Sequence, residues 1–161
     1  LTLLIVLGIF FFYTEENRNA SVTNTKESIL ELVERAVDTG IKIALENLCH
    51  VGSARPLHSM EDLFELIADM PREYVGLCLD TTHAQFSGHD PLQQLNVAAD
   101  RLFTLHLHDT DGNGDQHWVP GKGIIDWDGF IGRLAELKTP VVARGLLLID
   151  RYLVVTRLQA G

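Results

Sequence analysis

The stretch YVGLCLDTTH, Tyr74 to His83, decides the fold. Its apolar run is short and almost unbroken, which suits a parallel strand covered on both faces better than an alternating, half-wet one. It then ends on Asp80 and His83, two residue types that bind metal ions. Two further runs have the same form. IKIALENL (41–48) ends on Glu46, and RLFTLHLHD (101–109) carries His106 and His108.

Helical periodicity fills the gaps between these runs. Upstream, TEENRNASVTNTKES reads as a polar loop, Thr25 as an N-cap, and Ile29, Leu32, Val33, Ala36 and Val37 as the apolar stripe of a helix stopped by Gly40. Ser59 opens the next helix, with Leu63, Leu66, Ile67 and Met70, and Pro71 ends it. Leu92, Leu95 and Ala99 mark another helix. Asp126 or Asp128 caps the last, through Phe130, Leu134 and Leu137, and Pro140 precedes the closing apolar run VVARGLLLI. Strands alternating with helices at roughly 30-residue spacing predict βα units on a parallel sheet. The chain of 161 residues has about five strands and four helices, against ~250 residues for a complete eightfold barrel. The expected fold is therefore α/β, a partial (β/α)8 barrel, with residues 1–161 forming one incomplete domain.

The opening run LTLLIVLGIFFFY (1–13) is too short for a membrane-spanning helix. Its β-branched and aromatic content fits a buried strand, with a signal-peptide core as the alternative. Cys49 and Cys78 make no CxxC pair and are expected as buried, reduced thiols. A cytoplasmic chain without membrane attachment follows from these features. The formal charge of −9 argues against a surface that holds nucleic-acid phosphates, which calls on Lys and Arg.

At the carboxyl ends of barrel strands, residues distant in sequence converge on one mouth. Glu46, Asp80 and His106 end three successive strands, and His83, Asp115 and His117 follow in the adjoining turns. Any one of these has an ordinary alternative: a strand-end Asp caps the next helix, and a lone His is a hydrogen-bonded core residue. Together they predict a site for a divalent metal, zinc, manganese or magnesium, held by carboxylates and imidazoles. His108, two residues beyond His106, points the same way one step higher and suits a substrate contact. His50, His58 and His89 lie in loops without such company and are expected to be solvated. Pro120-Gly121-Lys122-Gly123 reads either as a tight turn needing glycine torsions or as a loop presenting Lys122.

ALEN (44–47), LCLDTTHAQFSGHDP (77–91) and LHLHDTDGNGDQHWVPGKGIIDW (105–127) together resemble the xylose isomerase-like barrel superfamily. That superfamily includes sugar phosphate isomerases and epimerases and the endonuclease IV-like apurinic endonucleases. The resemblance covers about residues 41–137, and HxHD followed by DxHxxPGxG is its most specific element. It implies that Glu46, Asp80 and His106 hold the central metal. It further implies that His83, Asp115 and His117 belong to additional metal positions in the nuclease branch, with His83 contacting substrate in the isomerase branch. The tail 139–161 diverges: the family's closing Glu is replaced by Ala143 and Arg144, Asp150 lies too far along, and an altered reading frame or truncated gene is expected there. The amino-terminal strands that carry further ligands in the nuclease branch are likewise not matched.

Two activities follow from the resemblance. In a sugar or sugar-phosphate isomerase or epimerase, the metal would polarise a carbonyl and Glu46 would move the neighbouring proton. The acidic balance and the PGxGxxDW turn fit that small-molecule substrate. In an endonuclease acting on abasic DNA, extra zinc ions at His83, Asp115 and His117 would activate water, and a basic groove would be needed. A third reading is a fragment that works only as part of an oligomer or beside a missing barrel half.

Overall fold

The computed structural model describes residues 2–5, 15–50, 56–137 and 142–144, with side chains over 18–50 and 56–137. In chain order these form β1 (Thr2–Ile5), α1 (Glu15–Thr39), β2 (Lys42–Glu46), α2 (Met60–Leu66), β3 (Val75–Asp80), α3 (Thr81–Phe86) and α4 (Pro91–Ala98). A 3-10 turn at Ala99–Arg101 leads into β4 (Leu102–His106), followed by α5 (Trp127–Glu136) and β5 (Val142–Arg144). The five strands make one parallel sheet in sequential order, β1-β2-β3-β4-β5. This is the βα succession that the sequence predicts. Residues 6–14 of the opening run, the tail beyond Arg144 with Asp150, and the side chains of Ala143 and Arg144 lie outside the described residues. Among the described residues no helix is long and apolar enough to cross a membrane.

Register separates the two faces of the sheet. Leu45 pairs with Leu77 and Leu79 with Leu105, and these belong to the core that also holds Leu63 and Ile67 from the α2 segment, Leu95 of α4 and Phe130 of α5. Alternation gives the opposite face to Ala44, Glu46, Cys78, Asp80, Thr104 and His106, where Glu46 pairs with Cys78 and Asp80 with His106. The apolar face thus fixes the strands against the helices. The small and polar face collects the chemistry at the carboxyl ends.

Three details depart from the sequence reading. Helix α1 begins at Glu15, ten residues before the expected cap at Thr25. Its first turns are polar, but Val22 packs on the core, and Lys26 Nζ meets Asp69 Oδ2 at 2.9 Å; these tertiary contacts override weak local propensity. On the same helix Ile29, Val33 and Ala36 are buried, whereas Leu32 and Val37 face solvent. Helix α3 was not expected at all. Asp80 caps it, Oδ1 accepting from His83 N–H at 3.0 Å, so the strand's last residue starts the helix that carries His83. Two other caps follow the sequence, Ser59 on α2 and Asp126 on α5, while the cap of α4, Asp90 with Pro91 in its first turn, was not anticipated.

One buried charge holds the sheet to its helices. Arg101 is 2% exposed, and its guanidinium donates to the carbonyls of Val75, Ile67 and Met70 at 3.0 to 3.3 Å. It therefore answers the unsatisfied carbonyls at the end of α2.

Candidate metal centre

The centre is built at the ends of β2, β3 and β4. Glu46 and Asp80 are buried, at 3% and 1% exposure, a position that costs a carboxylate dearly unless cations or donors answer it. Imidazoles supply the answer. His106 Nδ1 lies 2.8 Å from Glu46 Oε1 and 3.6 Å from Asp80 Oδ2, and His108 Nδ1 lies 3.5 Å from the same Asp80 oxygen. Burial opposes ionisation of Asp80, but His106 and His108, with His83 assisting, outweigh it and hold the carboxyl well below the usual range. The His106 imidazole is pushed up to about 12, chiefly by Asp80, then by Cys78 and Glu46, against the effect of burial. A proton on His106 Nδ1 thus offsets part of the negative charge that Asp80 and Glu46 bring to this buried point.

The residues fit a divalent ion on a structural ground. Asp80 Oδ2 and His108 Nδ1 are both buried and neither makes a hydrogen bond. Buried polar atoms are nearly always partnered, and here two acceptor-capable atoms face one another 3.5 Å apart. The sets Glu46–Asp80–His83, Asp80–His108–His117, Glu46–Cys78–His106 and Cys49–His83–Asp115 each present ligand-type atoms within 4.8 Å of one another.

The more exposed half of the centre comes from the loop after β4. His83 Nε2 lies 3.4 Å from Asp115 Oδ2, and His117 Nδ1 lies 3.2 Å from Asp115 Oδ1. The His117 ring packs against His108, 4.4 Å between centroids, and against His83 at 5.9 Å. His117 has φ 50°, a left-handed torsion that a non-glycine residue rarely adopts and that recurs at functional sites. The structure therefore brings Glu46, Asp80, His83, His106, His108, Asp115 and His117 into one cluster.

Several positioning residues escaped the sequence reading. Asn47 Oδ1 accepts from Asp80 N–H at 2.8 Å, its Nδ2 donates to Asp80 O at 3.1 Å, and its own carbonyl accepts from His83 Nδ1 at 2.8 Å. That last bond places a proton on Nδ1, because a carbonyl only accepts, and leaves Nε2 as the ring atom on the side of Asp115, 3.4 Å from its Oδ2. Thr81 joins β3 to β4 in the same manner, Oγ1 donating to His108 O at 2.6 Å and accepting from His108 N–H at 3.0 Å. The only signals in the sequence are the Asn of ALEN and the first Thr of DTTH. Both cysteines are buried and outside any disulfide, as expected, yet both stand among the ligand-type atoms. Alternation could have placed Cys78, two residues before Asp80. Its thiol is pushed up to about 11 by burial, with His106 pulling the other way.

Asp109 was read only as the end of HxHD. It is fully buried and caged: Oδ2 accepts from Gly121 N–H and Gly123 N–H at 2.8 Å and from Trp127 Nε1–H at 2.9 Å. Its Oδ1 accepts from Thr110 N–H at 2.9 Å. A side chain on Gly123 would collide with the Thr110 carbonyl and Asp109 itself. The PGKG segment is therefore a backbone cradle for a carboxylate, while Lys122 is exposed. His50, His58 and His89 are corrected too. They are half-buried: the His58 and His89 rings stack and the His50 ring lies tilted against His58, because the β2–α2 and α3–α4 connections meet at one point of the rim.

Comparison with known proteins agrees with this arrangement. An inosose isomerase of Bacillus subtilis is 29% identical over 130 residues, 76% of this chain and 44% of that protein. A D-tagatose 3-epimerase-like protein superposes with a TM-score of 0.76 at 25% identity, covering 88% of this chain and 54% of the other. An IolI protein with a bound zinc atom gives a TM-score of 0.69 at 27% identity, covering 88% and 52%. The chain thus spans about half the length of the proteins it matches. Because the family match runs over residues 3–143, through every strand of the sheet, the chain belongs to the xylose isomerase-like TIM barrel family.

Proposed function

We propose that this chain is the metal-holding part of a divalent-metal-dependent sugar or sugar-phosphate isomerase or epimerase. One observation carries the reading. Asp80 Oδ2, buried and without a hydrogen bond, faces the imidazoles of His106 and His108 beside the carboxylate of Glu46. Asp80, His106 and Glu46 would hold the ion, which when bound supplies a Lewis acid to a carbonyl oxygen. Glu46 would shuttle the proton on the adjacent carbon. His83, with Nε2 facing the mouth, and His108 would orient substrate hydroxyls. The likeness to an inosose isomerase and to an epimerase-like structure supports this class, and the zinc-bound neighbour supports zinc among the candidate ions.

A second reading, a nuclease for abasic sites, draws on the close grouping of His83, Asp115 and His117, which would accommodate further ions. The net charge of −9 weighs against it.

Metal analysis of the purified chain, with an Asp80→Ala/His106→Ala variant, tests the proposal. The chain is expected to retain a divalent ion through dialysis and the variant to lose it. Equal metal content in both would sink the reading. Solvent-deuterium incorporation into a ketose, catalysed by the chain in its active assembly, would separate the isomerase from the nuclease.

A further inference from the structure

The seven histidines divide into four at the acidic centre and three apart from it. His50 follows β2, His58 precedes the Ser59 cap of α2, and His89 lies between α3 and α4. The His50 and His58 ring centroids are 4.7 Å apart and those of His58 and His89 5.1 Å. The backbone presets this meeting: His50 N–H donates to Ser87 Oγ at 2.8 Å, His89 N–H to Ala84 O at 3.0 Å, and Ser59 Oγ accepts from Asp62 N–H at 3.1 Å.

We infer that His58 and His89, with His50 beside them, form a second metal site selective for zinc, nickel, cobalt or copper over magnesium and manganese. His58 Nδ1 and His89 Nε2 are 3.0 Å apart. A tetrahedral ion bound at ~2.0–2.1 Å would hold two nitrogens roughly 3.3 Å apart, so a small ring adjustment replaces the shared proton with an ion. His50 Nδ1 is buried and lacks a hydrogen-bond partner, and its ring stands 4.7 Å from that of His58 between centroids; it becomes a third ligand only once the ring turns towards the pair. The donors are nitrogen alone, and imidazole suits the later first-row metals while hard cations demand oxygen.

Electrostatics favour the ligand form of His58. Among the described residues none of the three is ion-paired, in contrast with His106. Burial first, and then the neighbouring His50, His89 and Arg18, lower the His58 pKa against the pull of Asp62. A neutral imidazole is the form that coordinates. Asp62 on α2 supplies the compensating negative charge and Arg18 on α1 tempers it. An ion here would tie together the connection after β2, the start of α2 and the α3–α4 turn, bracing the rim outside the acidic centre. The inference does not depend on the activity proposed for that centre.

The test uses the full, untagged chain titrated with zinc and, separately, with manganese. Ring nitrogen signals of His50, His58 and His89 are expected to shift with zinc and to stay put with manganese. The chain should bind one zinc more than manganese. His58→Gln/His89→Gln should lose that zinc, its affinity falling about 100-fold or more, since even outer partners of ligands contribute ~10–100-fold. Asp80→Ala/His106→Ala should keep it. Zinc content unchanged in His58→Gln/His89→Gln overturns the inference. So do ring signals that remain unmoved at saturating zinc, a measurement on the unaltered chain that needs no variant to fold. Loss confined to Asp80→Ala/His106→Ala would leave the acidic centre standing and this site refuted.

Discussion

Asn47 touches no ligand atom of the centre, yet its amide answers both backbone groups of Asp80 and its carbonyl places a proton on His83 Nδ1. Outer partners of this kind set the angle and basicity of metal ligands. Asn47→Ala is expected to weaken divalent-metal affinity by ~10–100-fold with little change in secondary structure, read by competition with a fluorescent chelator. Unaltered affinity would reduce Asn47 to a strand-end staple. The adjoining Glu46 and Asp80 were legible from sequence because each ends an apolar run. Asn47, Thr81 and Asp109 were not. Their roles depend on which backbone groups another segment brings within reach, and nothing in their local pattern records that.

Among the elements, β3 and β4 depend on a single residue of the turn between them. Arg101 donates to carbonyls of Val75, Ile67 and Met70 from a site closed to water. Arg101→Leu keeps the apolar stem but strands those acceptors, and a loss of about 3 kcal/mol or more is expected. Urea unfolding should show a lower midpoint at unchanged slope; a midpoint within error of the parent would refute the role. The elements themselves were largely readable. Strands β2, β3 and β4 fall where unbroken apolar runs predict them, since two-sided burial leaves no room for alternation. Helix α1 was misjudged over its first ten residues because its support comes from Val22 on the core and Lys26 on Asp69, contacts invisible in a polar stretch. Helix α3 was missed because six residues are too few to show a period.

For the whole molecule, Asp80 and His106 set a pH window. His106 is raised to about 12, so its contribution is complete below its ordinary 6.5 and is lost as pH climbs. Asp80 is depressed, so its contribution is present above its ordinary 3.8 and is lost as pH falls. The metal-free chain should be most stable between those values and weaken on either side. A bound ion must displace the His106 proton, so zinc should stabilise the chain progressively more as pH rises from about 5 to about 8. Melting curves in chelator and in excess zinc across that range check both signs, and a zinc effect independent of pH would contradict them. The cage around Asp109 has its own consequence for the time course of the backbone. Residues 110–124 look from composition like the softest part of the chain. Yet the amides of Gly121, Gly123 and Ile125 all point at one sealed carboxylate. Their protons should trade with deuterated water slowly, on the clock of the sheet, while those of Asp115 and Gln116 at the loop's tip trade at once. The part of the chain that looks most pliant would then give way only when the molecule as a whole does.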